Sequence, residues 1–263
     1  FRAGFFNIGG EGQFLAGALG ASAWAAWSGV LGRALGWPVL LAAGAIGGAL
    51  LGWFAAWLRE RWAVHEVIAT FMLNFVMLYL LSMAVHGSLQ ESSGAYPQSD
   101  LLSGGLLLPR LGGGRLHLGL VLAPVLVAAG GLILARTIPG FLVRAVGSGP
   151  RAALASGLPA TRIILASATV SGGFCGLAGA IEVAGVSGRI YESFSPGYGY
   201  TAIAVALLAR LHPGWLFVSA FFFGVLAAGA GGMQRSLGVP SVTLLGVQAV
   251  IIGAGALAGR KSA

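Results

Sequence analysis

The chain has 263 residues, 57% of them hydrophobic and only 8% charged, and its mean hydropathy is +0.89. An ordinary soluble domain carries about a quarter charged residues, so this composition places the chain in a bilayer. The net charge of +8 comes from bases scattered singly, nearly all Arg with Lys261 the one lysine, which excludes the clustered stripe of a nucleic-acid binder.

A bilayer core about 30 Å thick takes about 20 apolar residues to cross. Eight windows of that kind are predicted, at 13–31, 37–58, 66–85, 116–135, 163–186, 200–211, 214–234 and 239–258, and the sixth is short enough to be a partial span. The fold class is therefore all-α, a polytopic transmembrane helical bundle, with 1–263 read as a single domain. If the first window runs outward, ten of the fifteen bases (Arg2, Arg59, Arg61, Arg136, Arg144, Arg151, Arg162, Arg210, Arg260 and Lys261) share one side, against Arg33, Arg110, Arg115, Arg189 and Arg235 on the other. Bases are retained on the cytoplasmic side, so the C-terminus is expected inside and 87–115 is expected as an external loop. The stretch 137–162, "TIPGFLVRAVGSGPRAALASGLPATR", then lies in the cytoplasm, where its Gly-Ser-Gly-Pro break suggests two small helices at the membrane surface.

Much of the glycine, 45 residues in all, falls inside the apolar windows as "GAIGGALLG" and "GGFCGLAGA". Small residues four apart let membrane helices approach closely, so the bundle is expected to be tightly packed. Cys175, alone in an apolar run, has no cysteine partner for a disulfide and reads as a small packed residue.

Catalytic signatures fail in detail. "HEVIA" at 65–69 lacks the second histidine of a zinc helix, "GVSGR" at 185–189 ends on Arg189 rather than glycine, and "GSGP" at 147–150 lacks the Lys-Ser/Thr of a phosphate loop. No cofactor or metal is expected in this chain. His65 and Glu66 read as a helix cap, where the dipole favours an acid.

Polar residues inside apolar windows are the candidates for function. The opening "FFNIGGEGQFLAGAL" sets Asn7, Glu11 and Gln13 among glycines that oppose a continuous helix. Broken helices with polar groups at depth are a recurring way to build transporter sites. Asn74, in "TFMLNFVML", must bond a neighbouring helix or line a wet cavity, and Phe71 is an aromatic one turn away. Glu182, in "LAGAIEVAGV", is paired, protonated, close to the surface or facing a polar pathway. Tyr198 and Tyr200 read as interfacial belt aromatics.

Four stretches, "FRAGFFNIGGEGQFLAGAL", "HEVIATFMLNFV", "RAVGSGPRAALASGLPATR" and "SGGFCGLAGAIEVAGV…GYGYTAIAVALLARLHP", span nearly the whole chain in order. On these the sequence resembles the permease subunit of bacterial ABC importers of the branched-chain amino acid/ribose/nucleoside type. It is most similar to the nucleoside, basic-membrane-protein-linked branch, and within it to the longer of two paralogous membrane subunits. The resemblance implies about ten helices, of which about eight are here and two N-terminal ones are missing, in keeping with a chain that opens on Phe1. It implies that 137–162 is the cytoplasmic coupling loop, with Arg144, Gly147, Pro150, Ala152, Ala153 and Gly157 meeting an ATP-binding subunit. A substrate pathway lined by Asn7, Glu11, Gln13, Phe71, Asn74 and Glu182 would carry nucleosides or related small polar solutes.

The implied partners are a paralogous permease, an ATP-binding subunit holding ATP and Mg, an external substrate-binding lipoprotein and membrane lipid, with no nucleic acid. The implied location is the bacterial plasma (inner) membrane, and the implied role is transport, not catalysis. The alternatives are a sugar or amino-acid ABC importer permease, or a secondary transporter or channel. Scarce intramembrane acids and the elaborated 137–162 stretch argue against the last.

Overall fold

The computed structural model describes residues 1–112, 114, 116–237 and 246, with 30–35 and 237 described by backbone alone. The eighth predicted window, 239–258, lies outside the described residues, as do Arg115, Arg260 and Lys261. Nine helices run through the described residues: α1 Gly10–Trp27, α2 Gly29–Trp62, α3 Glu66–Val85, α4 Gly119–Arg136, α5 Ile138–Ser148, α6 Pro150–Ala155, α7 Ala160–Glu182, α8 Tyr198–Leu208 and α9 Pro213–Leu237. Five stretches among them, Gly36–Trp62, Glu66–Val85, Gly119–Arg136, Ala160–Ser187 and Pro213–Ser236, are long and apolar enough to cross a membrane.

The innermost helix is not one of those five. Every residue of α1 from Gly10 to Ala18 is buried, Glu11 and Gln13 included. Neighbouring helices rather than lipid surround it, so it tolerates polar groups that a lipid-facing helix would not. Its glycines set how closely those neighbours come. A Cβ on Gly17 would strike the backbone of Gly176 in α7, and one on Gly179 would strike the carbonyl of Phe14.

The α2–α7 contact follows the same logic over a longer seam. Gly44, Gly48 and Gly52 of α2 face Ala168, Gly172, Gly176 and Ala180 of α7, each series stepping by four residues, and a Cβ on Gly48 would strike the Gly172 carbonyl. The two stripes run antiparallel, Gly44 beside Gly176 and Ala180, Gly52 beside Ala168. Backbone touches backbone, which is how helices associate where the solvent is as apolar as their side chains. The helices α4 and α9 lie outside this core, with only 6% and 11% of their apolar windows buried.

Helix ends follow local chemistry. His65 caps α3, its Nδ1 accepting from the Val67 N–H at 3.3 Å, and Glu66 pairs with Arg59 at 3.7 Å. Gly36 takes φ +64, breaking α2 two residues before Pro38, and the Gly105 carbonyl crowds the same position. The α7 helix ends in a π-helical turn, Val183–Ser187.

The described residues 86–112 of the α3–α4 connection cover that end of α7. Gln98 bridges Tyr191, the N–H groups of Ser99, Leu102 and Leu108 donate to the carbonyls of Ile190, Gly188 and Ala184, and Leu106 and Leu108 are buried. Glu91 pins this cover. It accepts from Ser93 at 2.6 Å and Gln98 at 2.6 Å and pairs with Arg189 at 3.6 Å. Those bonds, Ser93 first, hold its carboxyl below the usual carboxylate range, and the backbone N–H and hydroxyl of Ser92 do the same for Asp100.

Candidate pathway and coupling face

The break at the start of the chain places two helix N-termini inside the bundle. Residues 1–9 run without helix along the α5–α6 end of the molecule before α1 begins at Gly10. The Ile8 N–H donates to Thr70 Oγ1 at 3.2 Å and the Gly12 N–H to Asn74 Oδ1 at 2.8 Å. Thr70 and Asn74 stand four and eight residues into α3, so α1 starts about 6–12 Å above the start of α3.

Four of the six predicted pathway residues meet there. Asn7 donates to Gln13 Oε1 at 2.9 Å and accepts from Gln13 Nε2 at 3.2 Å, so the two amides close a reciprocal pair. Asn7 Oδ1 also accepts the Gly9 N–H at 2.9 Å, and Asn7 Nδ2 reaches Ser171 Oγ of α7 at 3.4 Å. Asn74 Nδ2 donates to the Ile8 carbonyl at 3.1 Å and to Tyr200 Oη at 3.2 Å. These amides supply the partners that the broken backbone lacks, as non-helical chain at this depth requires.

Glu11 serves the second N-terminus. Its Oε2 accepts the Gly199 N–H of α8 at 2.7 Å, and its side chain belongs to a residue only 6% exposed. A carboxylate at a helix N-terminus meets unpaired N–H groups and the positive end of the dipole, which offsets its loss of water. The two chains touch closely here: a Cβ on Gly199 would strike the Glu11 backbone.

Phe71 and Glu182 stand apart from this network. Phe71 is 38% exposed on α3, edge-to-face with Phe75 at 5.2 Å. Glu182 is half-buried at the last residue of α7, where its carbonyl accepts from Ser187. The sequence reading did not single out Thr70, Ser171 or Gly199, and it assigned Tyr200 to the interfacial belt. The Tyr200 hydroxyl instead meets Asn74, joining α8 to α3 over α1. Spacing alone carried no sign of that pairing.

The predicted coupling residues lie on α5, α6 and the turn after them. Thr137 caps α5, accepting from the Gly140 N–H at 3.3 Å, and Pro150 opens α6. Arg144 is half-buried, Pro150, Ala152 and Gly157 are exposed, and Ala153 is buried. Gly157 has φ +77 with open space around it, so its backbone conformation rather than crowding calls for glycine. At Gly147 the reverse holds, because a Cβ there would strike the Arg2 carbonyl. No group of three or more His, Cys, Asp or Glu placed to hold a metal exists among the described residues.

Membrane-length helices, a sheltered polar core and helices that start inside the bundle define a multi-pass membrane protein. Comparison with known proteins then fixes the family. The family described as branched-chain amino acid transport system / permease component matches residues 1–254, and the chain belongs to it. It is 36% identical to a glucose ABC transporter permease of Haloferax volcanii (95% of this chain, 69% of that protein). It is 35% identical to a guanosine ABC transporter permease of Bacillus subtilis, covering 96% of this chain and 73% of that protein. It is also 32% identical to a nucleoside ABC transporter permease of Lactococcus lactis, covering 95% and 71%. No solved structure matches. The chain is thus a permease subunit, a transport component of an ABC system.

Proposed function

We propose that this permease moves nucleosides across a bacterial inner membrane by alternating access, paired with a second, paralogous permease. A double ATP-binding subunit, with ATP and Mg, docks on α5–α6 through Arg144, Gly147, Pro150, Ala152, Ala153 and Gly157, and an external lipoprotein delivers the solute. The α5–α6 end is the cytoplasmic one, the cover 86–112 is external, and the C-terminus is inside. The grouping of Arg2, Arg59, Arg61, Arg136, Arg144, Arg151, Arg162 and Arg210 in the loops and helix ends of the α5–α6 side supports that orientation.

The observation that carries the reading is the hydrogen-bonded set of half-buried Asn7 and buried Glu11, Gln13 and Asn74 at two helix starts within the bundle. A solute passing between α3 and α8 meets amides, the Tyr200 hydroxyl and the start of a half-helix, with Phe71 and Tyr198 as exposed aromatic surface for a flat ring. Glu182 stands further along the same route. The guanosine and nucleoside permeases among the relatives favour a nucleoside.

The glucose permease relative supports a second reading, a sugar as cargo. The test is uptake by the full assembly in proteoliposomes with labelled guanosine, challenged by unlabelled adenosine, glucose or leucine. Competition by adenosine alone is expected. Competition by glucose alone would favour the sugar reading, and uptake without ATP would contradict an ABC permease.

A further inference from the structure

Residues 1–9 touch both functional regions of the molecule, and they are held at each. At the α5–α6 end, Phe5 is 3% exposed in a core shared with Val146 of α5, Ala153 of α6 and Ala160 and Ile164 of α7. The backbone of Gly147 lies directly against Arg2, and Gly4, at φ +71, sits 3.6 Å from Gly147 Cα measured from the position its Cβ would take. Arg59 clamps the same segment from α2: its Nη1 donates to the Gly4 carbonyl at 3.3 Å and its guanidinium lies 5.6 Å from the centre of the Phe5 ring. Arg2 reaches the turn after α8, donating to the Leu211 carbonyl at 3.0 Å. Two residues past Phe5, Asn7 enters the amide pair with Gln13, and Ile8 bonds Thr70 and Asn74 on α3.

From this geometry we infer that residues 1–9 are a mechanical strap that carries displacement of α5–α6 to the starts of α1 and α8, with Phe5 as its positioning residue. A strap fits because the segment has no slack. Phe5 and Asn7 are separated by one residue, at most about 7 Å of extended chain; Phe5 is packed on α5 and α6 and Asn7 is bonded to Gln13 of α1, with α7 touching both. A shift of α5 that carries Val146 and Gly147 therefore pulls on Asn7 and Ile8, the groups that hold the α1 start against α3. Packed interfaces of this kind shift between discrete arrangements rather than stretching. The inference rests on the permease reading above, since only a driven α5–α6 gives the strap a load.

The experiment uses the complete assembly with its ATP-binding subunit and binding protein, with guanosine as the probe. In Phe5→Ala, assembly and basal ATP hydrolysis are expected to persist, while hydrolysis stimulated by loaded binding protein and uptake both fall by about tenfold, the scale on which residues along a coupling route act. Phe5→Leu keeps an apolar side chain against Val146 and Ala153 and should recover most of both; if Phe5→Ala fails to assemble, Phe5→Val, which loses the ring but keeps a branched stub, is read in its place with the same loss expected. In a double-mutant cycle, Phe5→Ala and Asn7→Ala should be strongly non-additive in uptake, because both cut one connection. Wild-type stimulation in Phe5→Ala, a parallel loss of basal hydrolysis, or additive effects in the cycle would overturn the strap. Absence of ATP-driven uptake in the wild-type assembly would instead overturn the permease reading.

Discussion

Adding one methyl group at Gly176 should loosen the whole inner bundle. Its Cβ would strike the Gly44 carbonyl and come within 2.8 Å of Gly48 Cα and N, where ordinary contact begins at 3.4 Å. Both sides are backbone, so no side chain can turn away, and α2 must retreat by at least about 0.6 Å, a gap that forfeits a quarter to a half of each dispersion contact along the seam. Overpacking of this kind costs about 1–3 kcal/mol, and the backbone clash puts Gly176→Ala near the top of that range. For a chain of this size the thermal midpoint should fall by about 6–10 °C. Gly173 supplies the control three residues away, since its nearest neighbours would lie at 3.6 Å; Gly173→Ala should be neutral or stabilising by up to about 1 kcal/mol, through helix propensity. Midpoints are read in detergent from tryptophan fluorescence and from the fraction surviving heating in size-exclusion chromatography. Equal midpoints for Gly176→Ala and Gly173→Ala would refute the claim that backbone contact sets the α2–α7 spacing.

Asn74→Leu keeps the branched shape but strands the Gly12 N–H, at a cost of about 1–3 kcal/mol; a lowered midpoint with sharply reduced uptake is expected, whereas Asn74→Ala should reduce uptake while the assembly persists. Glu11→Gln keeps an acceptor for the Gly199 N–H but removes the charge, worth about 0.3–2 kcal/mol at a helix N-terminus; hydrogen exchange in the first turn of α8 should rise, and unchanged exchange there would contradict the capping role. Glu91 and Asp100 have folded carboxyls held below their ordinary range, so their contribution to the cover is present above the unfolded carboxylate pKa and is lost as pH falls through the folded values. Protease nicking within 86–118 should stay low at neutral pH and rise only below about pH 4, and Glu91→Gln should raise nicking already at neutral pH and flatten its rise in acid. Arg144→Ala should lower uptake more than ATP hydrolysis, read as solute moved per ATP consumed.

Apolar length made most helices readable in advance, and the four-residue glycine steps announced tight packing, though not that α2 and α7 face each other. Two elements were harder, for physical reasons. In α1, Glu11 and Gln13 depress local hydropathy, so the predicted window opens at 13 although the helix starts at Gly10; the protein around it, not its own sequence, makes those residues affordable. In α8, a span shorter than the bilayer begins where Glu11, distant in sequence, accepts from its first turn. Asn7, Glu11, Gln13 and Asn74 were visible as polar residues out of place, and their exclusion by lipid is a sequence-level signal. Their partners Thr70, Ser171 and Tyr200 were not, because hydroxyls are common in membrane helices and their pairings form only in three dimensions. Gly147 illustrates the same limit, since the crowding comes from Arg2 across the chain.

The shortness of α8 also bears on how the protein is made. Eleven residues rise about 16 Å, half a bilayer core, too little apolar length for the insertion machinery to recognise and release into lipid on its own merits. The Gly199 N–H of its first turn finds its acceptor on α1, which leaves the ribosome much earlier. Biogenesis therefore has a built-in order: the N-terminal helices wait in the membrane as a mould, and α8 settles against them late, after synthesis has passed it. Lesions at Glu11 should accordingly show themselves during maturation, as nascent chains whose later helices fail to seat, before any defect in the finished transporter can be measured.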